Sequence, residues 1–278
     1  MRPLFSILIV SLNPGEKLKR TLGSVLRQYF EDYEVIVKDG VSTDGSLSFI
    51  EGLSEEKRSR IRIVSRPDQG IYDAMNQAAG EAVGKYVYFL NCGDVFYGKD
   101  VLFQMAKLIE ENPSRQGVYY GNIYERRTRQ VVASNPRLDA FGCYRNVPCQ
   151  QACFYDRRLL LVHPFETAYR VRADYEQFLW CFFQKELKGR IQFTYGDILI
   201  ADYEGGGFSE TKENRQISAR EHREITGRYM SSWQLFKFRL IMLLTLSRFR
   251  TYLAGNERTA GIYNRMKGML YGRKTGAV

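Results

Sequence analysis

The sequence predicts an α/β fold in which a mainly parallel sheet carries helices on both faces, followed by a basic helical C-terminal tail. The first observation is a series of short, unbroken apolar runs, the pattern of strands buried on both faces of a parallel sheet. The second is that segments of helical periodicity alternate with these runs. Right-handed crossovers join such strands, so the alternation favours a parallel sheet. The third is that positive charge is concentrated after residue 227.

The first predicted unit is a strand, a helix and a second strand. Residues 5–10 read FSILIV, a buried strand, and Asn-Pro-Gly at 13–15 ends it. A helix follows and is expected to end near Gln28. A second strand is expected at 34–37, followed by a polar turn at 39–45. The apolar residues that give the helix its spacing are Leu18, Leu22, Val25 and Leu26.

The same alternation continues to residue 112 and then changes. Further elements are expected as a strand at 61–64, a helix at 72–82, a strand at 86–90 and a helix at 101–110. Beyond these, residues 118–124 and 130–133 are typical of antiparallel strands joined by a turn at 126–129. The second half of the chain is therefore expected to be less regular than the first.

Composition and charge limit the class of protein. Hydrophobic residues make up 44% and charged residues 26% of the 278 residues, as in soluble globular proteins. Residues 228–278 hold ten Lys or Arg and one acid, so they carry +9 of the net charge of +10. A near-neutral body with a cationic tail favours attraction to an anionic surface and argues against a protein that coats nucleic acid. We expect one domain over 1–227 and a basic amphipathic helical tail at 228–278.

The tail has the pattern of an amphipathic helix. Its apolar stripe consists of Trp233, Phe236, Leu240, Leu243 and Leu244, with Lys237, Arg248 and Arg250 nearby. Basic, aromatic helices of this kind lie in the headgroup plane of anionic membranes. The alternative is a helix packed on the domain or on a dimer partner. The longest apolar run, 240–246, is too short to cross a bilayer.

Cysteine and histidine usage bears on metal binding and compartment. The five cysteines form no Cys-x-x-Cys pair, and the two histidines are far apart in sequence, which argues against a zinc site. An odd number of cysteines and no cleavable signal peptide are typical of a reducing compartment. A cytoplasmic protein is therefore expected.

Polar residues follow four successive predicted strands. In α/β sheets the ligand lies beyond the carboxyl ends of the strands, so the loops after residues 10, 38, 64 and 90 should meet at one cleft. No glycine-rich phosphate loop is present, and carboxylates bind a diphosphate only through a divalent cation. A metal-bridged nucleotide diphosphate is the predicted ligand. The polar loop residues are Ser11, Asn13, Asp39, Asp44, Asp68, Asp73, Asn91 and Asp94.

Four segments in this order resemble the signatures of the family 2 glycosyltransferases. They are FSILIVSLN, EVIVKDGVSTDGS, RPDQGIYDAMNQAAG and YVYFLNCGD, and the similarity continues through PCQQACFY, HPFETAYRVRADYEQFLW and EGGGFS to about residue 210. The resemblance implies a GT-A fold, which is Rossmann-like, and an inverting enzyme that uses a nucleotide diphosphate sugar. It makes residues 1–112 the donor half and 113–227 the acceptor half.

The resemblance implies nucleotide contacts in the donor half. Ser11 and Asn13 match the loop that lies against the base and ribose. Asp39 matches the acid that recognises the base edge, and an exposed, acceptor-only carboxylate suits the imide N–H of uracil or thymine; a UDP-sugar is the expected donor. Asp68 and Asp73 match positions that flank the sugar-nucleotide pocket. Turn formation is the alternative for Asp39 and Asp44, and helix packing is expected for Tyr72, Ala74 and Met75.

Residues 90–94 stand in the place of the family's Asp-x-Asp motif. Asn91 and Gly93 replace its two acids, which leaves Asp94 as the expected ligand of Mg²⁺ or Mn²⁺ and Asn91 as a neutral oxygen donor. Affinity for the cation is expected to be weak. The alternative for Asp94 is that it caps the helix beginning near Val101.

In the second half the resemblance implies a catalytic base and substrate contacts. Asp174 matches the catalytic acid of the family, although Ala173 replaces the Glu common before it, and it would take the acceptor hydroxyl proton. Gln150 or Gln151 is expected to contact donor or acceptor, with an ordinary strand end as the alternative. Glu176 and His163 are weaker rivals for the base. Residues 205–209 are expected to form a flexible loop near the donor or a simple linker.

The leading hypothesis is an inverting glycosyltransferase that acts on a carbohydrate or lipid-linked saccharide in bacterial surface polysaccharide synthesis. It would lie at the cytoplasmic face of the membrane. A non-catalytic sugar-nucleotide-binding protein is the first alternative, because the metal motif is incomplete. A nucleic-acid-binding protein, suggested by the tail, is the second, and the near-neutral body argues against it.

Overall fold

The computed structural model describes residues 2–184, 191–205 and 211–245, which form a nine-stranded sheet covered by helices. The strands are β1 Phe5–Ser11, β2 Tyr33–Asp39, β3 Ile61–Ser65, β4 Tyr86–Phe89, β5 Val95–Phe96, β6 Gly117–Glu125, β7 Gln130–Val132, β8 Cys153–Asp156 and β9 Gln192–Tyr203. The helices are α1 Glu16–Val25, α2 Glu55–Arg58, α3 Ile71–Glu81, α4 Val101–Glu111, α5 Ala140–Arg145, α6 Arg157–Val162, α7 Ala173–Phe183, α8 Lys212–Tyr229 and α9 Ser232–Leu244.

The first half of the sheet is parallel, as the sequence predicts. The strand order is β3-β2-β1-β4-β8-β6-β9-β5, with β7 paired to β6. β1 pairs in parallel with β2 and β4, and β2 pairs in parallel with β3. In this register Ser11 lies opposite Asp39, and Asp39 lies opposite Ser65. The polar residues that end these strands therefore emerge at one edge of the sheet.

Two hydrophobic cores lie on the two faces of the sheet. In β1, Ile7 and Ile9 point into the core that α1 and α4 cover, whereas Leu8 and Val10 point into the core that α3 covers. Successive side chains of a strand point to opposite faces, so an unbroken apolar run is buried on both. The expectation of helices on both faces is confirmed, and the fold is the GT-A type of mixed α/β architecture.

The second half of the sheet is mixed. β8 runs antiparallel to β4 and β6, and β6 and β7 form the antiparallel pair that the sequence predicts. β9, which the sequence analysis did not single out, runs parallel to β6 over most of its length. Its burial is irregular rather than continuous, and its apolar run, at residues 198–201, is only four residues long.

Two predicted boundaries move, one because of a side-chain contact and one because of strand pairing. α1 ends at Val25 rather than near Gln28, and the Gln28 side chain donates to Gly98 O at 2.6 Å and accepts from Leu102 N at 3.1 Å. β2 extends to Asp39 because its pairing with β1 continues to Ser11.

The start of the tail packs on the domain. The expected division after residue 227 falls inside α8, whose Arg228 and Tyr229 contact Glu176 of α7. In α9, Phe238 is buried and its ring lies 5.4 Å from the rings of Phe141 and Tyr144.

The five residues of the apolar stripe, from Trp233 to Leu244, are all exposed on α9. The helix therefore packs on the domain through one side and leaves its predicted stripe uncovered by the described residues. Residues 246–278, including Arg248 and Arg250, lie outside the described part of the chain. Among the described helices, none is both long and apolar enough to span a bilayer.

Candidate active site

An open cavity of about 580 Å³ lies where β1 and β4 end. The starts of α1, α3 and α7, the turn at 149–151 and the end of β9 complete its wall. It brings together Ser11, Asn13, Asn91, Asp94, Gln150, Gln151 and Asp174. Seven of the ten residues expected at the site thus line one cavity, although they come from segments far apart in sequence.

The loop after β1 is shaped by residues of the loop after β2. Asn13 has a left-handed backbone, with φ of 47°, and its Oδ1 accepts from Thr43 N at 2.9 Å. Its own N–H donates to Ser42 Oγ at 2.8 Å. Asp44 Oδ2 accepts from Gly15 N at 2.8 Å, so Asp44 has the turn-forming role that was its alternative.

Asp39 is buried rather than exposed, which corrects the expectation of an exposed carboxylate. Its Oδ2 accepts from Val41 N and Ser42 N, both at 3.0 Å, and from Ser65 Oγ at 2.8 Å. Burial opposes ionisation, but the hydrogen bonds from Ser42 and Ser65 outweigh it and hold the pKa of Asp39 below its ordinary value. The carboxylate is charged and sits behind the loop rather than in the cavity wall.

Three expected site residues carry buried polar atoms without a protein partner. Ser11 Oγ, Asp39 Oδ1 and Asn91 Oδ1 have no hydrogen-bond partner within the described ranges. Buried polar atoms in proteins are nearly always bonded to protein, water or ligand. These three atoms are therefore suited to receive a polar ligand at the ends of β1, β2 and β4.

Asp68 and Asp73 hold the local structure after β3. Asp68 Oδ2 lies 2.8 Å from Nζ of Lys38, a fully buried lysine in β2 that also donates to Asp39 O and Arg66 O. Asp73 Oδ2 accepts from Gln69 N at 2.9 Å at the start of α3. Neither carboxylate lies in the wall of the cavity as it stands. Lys38, a charge that directly follows the apolar run of β2, was the signal in the sequence for this contact.

Asp94 faces the cavity and does not cap α4. Asp100 occupies the cap position, whereas Asp94 Oδ1 accepts from Glu204 N at 2.8 Å and Oδ2 accepts from Gln151 Nε2 at 3.2 Å. Asp94 is 4% exposed, and burial raises its pKa to about 6. The capping alternative is therefore wrong.

The donor set near Asp94 suits a hard cation in part. Asp94 and the Oδ1 atom of Asn91 supply oxygens to the same cavity. In the described segments there is no group of three His, Cys, Asp or Glu residues able to hold a metal. Mg²⁺ commonly binds through one or two carboxylates and takes its other ligands from substrate phosphates and water. The two residues fit a cation that arrives with a diphosphate.

The turn at 149–151 places both glutamines against residues of the first half of the chain. Gln151 bonds Asp94, and its backbone carbonyl accepts from Tyr88 OH at 2.8 Å. Gln150 Nε2 lies 3.5 Å from the sulfur of Met75. Both line the cavity while being largely buried, so they are fixed parts of its wall.

Asp174 lies in the first turn of α7 and lines the same cavity as the end of β1. Tyr72 OH donates to Asp174 Oδ1 at 2.9 Å and to Val171 O at 2.7 Å. Burial raises the pKa of Asp174 above its ordinary value, and the Tyr72 hydrogen bond partly offsets this. Tyr72 was expected only to pack in the helix. Its hydroxyl contact could not be foreseen, because the partner is about a hundred residues away.

Glu176, one rival for the base, points away from the cavity. It is fully buried, and its carboxylate contacts His163 Nε2 at 2.9 Å, Arg228 Nη1 at 3.2 Å and the Tyr229 hydroxyl. Its pKa is lowered, because hydrogen bonds from His163 and Tyr229 outweigh the effect of burial. His163, the other rival, stacks on Trp180 at 4.5 Å. Both rivals serve to join α7 to its neighbours.

Lys17 and Glu204 are cavity residues that the sequence analysis did not select. Lys17 Nζ lies 2.7 Å from Glu204 Oε2, which links the start of α1 to the segment after β9. Gly205 follows with φ of 74°. Of the expected loop at 205–209, Gly205 is described and residues 206–209 lie outside the described part of the chain.

Comparisons with known proteins agree with this architecture. The family described as "Glycosyl transferase family 2" matches residues 6–160. Proteins named "PGL/p-HBAD biosynthesis glycosyltransferase" from Mycobacterium bovis (strain BCG / Pasteur 1173P2) and Mycobacterium tuberculosis (strain ATCC 25177 / H37Ra) are each 35% identical over 221 residues. The match covers 78% of this chain and 84% of each relative.

Solved structures show the same fold at low identity. S. aureus TarS 1-349 matches with a TM-score of 0.60 and 20% identity, over 73% of this chain and 60% of that one. The same protein in complex with UDP-GlcNAc has a TM-score of 0.62 at 16% identity, and the match covers 99% of this chain and 77% of that one. Mannosyltransferase PcManGT from Pyrobaculum calidifontis, in complex with GDP-Man and Mn²⁺, has a TM-score of 0.55 at 15% identity, over 99% and 89%. Together with the family match, these results show that the chain belongs to glycosyl transferase family 2 and is a glycosyltransferase.

Proposed function

We propose that the protein transfers a sugar, with inversion, from a UDP-sugar to a hydroxyl of a saccharide or lipid-linked acceptor. One observation carries the proposal. A single cavity joins the nucleotide-side residues Ser11 and Asn91, the carboxylate of Asp94 and the partly buried carboxylate of Asp174. Donor contacts and a proton acceptor therefore face one space.

The nucleotide would lie at the ends of β1 and β2. Ser11 Oγ and Asp39 Oδ1 are the unbonded atoms there, and a charged carboxylate accepts from the imide N–H of uracil. Because Asp39 is buried and its Oδ2 accepts from Val41 N and Ser42 N, recognition of the nucleobase would require the loop after β2 to shift on binding. TarS binds UDP and UDP-GlcNAc, which supports a nucleotide sugar donor, whereas PcManGT binds GDP-Man. Asp68 and Asp73 would support the pocket through Lys38 and α3.

A divalent cation, Mg²⁺ or Mn²⁺, would be held by Asp94 and Asn91 together with the donor diphosphate. Bound there, it would neutralise charge on the leaving diphosphate. The Mn²⁺ in the PcManGT complex supports this assignment. Gln150 and Gln151 would keep the wall of the cavity in place beside donor or acceptor.

Asp174 would act as the base. Its carboxylate accepts the proton of the acceptor hydroxyl while that oxygen bonds to the anomeric carbon. The bond from this carbon to the diphosphate oxygen breaks on the opposite face, and the electron pair leaves with the nucleotide diphosphate. Burial supports the role, because a raised pKa makes the carboxylate a stronger base. Tyr72 would orient it.

The exposed stripe of α9 would place the protein at an anionic membrane, at the cytoplasmic face. Lys237 and Arg239 are exposed on the same helix, and the sequence after residue 227 carries +9. Apolar side chains flanked by cations are the pattern of helices that lie at the lipid interface. This surface would bring the cavity near a lipid-linked acceptor of bacterial surface polysaccharide synthesis.

Thermal stabilisation by nucleotide sugars tests the proposal. UDP-, dTDP- and GDP-sugars are screened with and without Mn²⁺, since a ligand at 100 times its Kd adds about 2.7 kcal/mol. A UDP-sugar is expected to give the largest rise in Tm, with a larger rise in Mn²⁺. Stabilisation by GDP-sugars alone would contradict the assignment of uracil as the nucleobase of the donor. No response to any nucleotide sugar would contradict the donor site itself, whereas binding without transfer or hydrolysis would favour the non-catalytic alternative.

A further inference from the structure

The ion pair between Lys17 and Glu204 lies in the wall of the cavity. It joins the first turn of α1 to the residue after β9, 187 positions along the chain. The side chains are 56% and 37% exposed, and ion pairs this accessible contribute little to stability. A contribution to stability therefore does not explain the contact. Its position in the cavity points instead to a role in ligand binding.

The pair lies against the turn that replaces the Asp-x-Asp motif. The backbone N–H of Glu204 donates to Asp94 Oδ1, and a Cβ atom at Gly93 would collide with Glu204 Oε2. The same Cβ would lie 3.4 Å from Lys17 Cδ. Gly93 has φ of 105°, which also favours glycine. The turn thus leaves space for both members of the pair.

The charges of the cavity single out Lys17. Asp94, Asp174 and Glu204 are the carboxylates in its wall, and Lys17 is the sole cationic side chain among the described residues that line it. A diphosphate would be repelled by this wall unless cations offset it. Because Asn91 and Gly93 replace two acids of the motif, the protein offers a divalent ion fewer charged ligands than the full motif would. Lysine is a mobile point charge that binds phosphates.

We infer that Lys17 binds the diphosphate of the donor, and that Glu204 holds Lys17 in the nucleotide-free protein and releases it when the donor arrives. The inference rests on the proposed function, because it places the diphosphate in this cavity. The inference adds a positively charged side chain, Lys17, to the proposed donor site. It also implies that the contact between α1 and the residue after β9 breaks when the nucleotide binds. Glu204 then acts as a competitor for Lys17.

Calorimetric titration of the full chain with UDP and with uridine tests the inference. Lys17→Met keeps helix propensity and removes the charge, and Lys19→Met is the matched control on the exposed side of α1. Lys17→Met should weaken the binding of UDP about tenfold, equal to about 1.4 kcal/mol, and leave the affinity for uridine unchanged. Lys19→Met should change neither. Glu204→Gln should strengthen the binding of UDP about threefold, because it removes the carboxylate that competes with the diphosphate for Lys17.

The outcomes separate this inference from the proposed function. If the wild-type protein binds neither UDP nor uridine, the proposed donor site is wrong. If it binds UDP and Lys17→Met binds UDP equally well, or loses UDP and uridine to the same extent, the role of Lys17 is wrong. If Glu204→Gln weakens UDP binding and lowers Mn²⁺ affinity, Glu204 is a cation ligand and the release step is overturned.

Discussion

The hydroxyl of Tyr72 is expected to set the protonation of Asp174. Its hydrogen bond favours the charged carboxylate, so Tyr72→Phe should raise the pKa of Asp174 further above its ordinary value. The base acts when deprotonated, and the acidic limb of kcat/KM should therefore move to higher pH, with recovery of the rate at alkaline pH. Tyr175→Phe is the control, since that hydroxyl donates to Cys143 O. An acidic limb that is unmoved in Tyr72→Phe would remove Tyr72 from this role.

Asp68 is expected to contribute to stability through Lys38. Asp68→Ala would leave a fully buried ammonium without its carboxylate and should lower the free energy of unfolding by about 3 kcal/mol. Lys38→Met combined with Asp68→Ala should restore much of the loss, because no buried charge is then left unpaired. Urea unfolding measures both variants. A loss below about 1 kcal/mol in Asp68→Ala would show that the pair is unimportant.

Single residues show where sequence reasoning stops. Residue type and position after a strand were enough to predict that Ser11, Asn91 and Asp94 share a cavity. The burial of Asp39 could not be predicted in this way, because it depends on the Ser65 hydroxyl that contacts the carboxylate and on Asn13, which contacts the loop after β2. The roles of Tyr72 and Lys17 depend on partners about a hundred and almost two hundred residues away. Local patterns carry no information about such pairs.

At the scale of elements, α9 has two distinct sides. Phe238 packs against α5, so truncation before α9 would remove packing as well as the exposed stripe. Substitution within the stripe is therefore a cleaner test of the proposed membrane contact than truncation. Leu243 and Leu244 are each 73% exposed, and changing both to Gln should leave the fold intact.

The double variant is expected to bind anionic liposomes about a hundredfold more weakly, because burying two leucines contributes about 3 kcal/mol. Val162→Gln, at an exposed apolar residue of α6, is the matched control and should bind like wild type. Co-sedimentation with vesicles of anionic lipid measures all three proteins. Equal binding of the double variant and wild type would exclude the stripe from the membrane contact.

Elements were predictable where their pattern is local. β1, β2 and β4 were found because strands buried on both faces contain short unbroken apolar runs, and α3 and α4 because their apolar residues recur at helical spacing. β9 was missed since its faces are unevenly buried and its partner, β6, is distant in sequence. The end of α1 differed by about one turn because the side chain of Gln28 bonds the loop before α4.

At the scale of the whole molecule, the ends of the parallel strands β1 and β4 and the turn after β4 place Ser11, Asn91 and Asp94 at the cavity, whereas α7 and the turn at 149–151 place Asp174 and the glutamines there. In the proposed function, the first group binds the donor and Asp174 takes the proton of the acceptor. Donor binding and proton removal should accordingly be separable by substitution, since they would depend on different residues.

The most direct test of this account compares Asp174→Asn with Glu176→Gln, using the same donor and acceptor. Asp174→Asn keeps size and shape but cannot take the proton, so kcat should fall about 10²- to 10⁴-fold. Its affinity for UDP should change by less than about threefold, under about 0.7 kcal/mol. Glu176→Gln, whose carboxylate faces α8 and His163, should lose far less turnover. Near-normal turnover in Asp174→Asn together with loss of turnover in a folded Glu176→Gln variant would contradict the account.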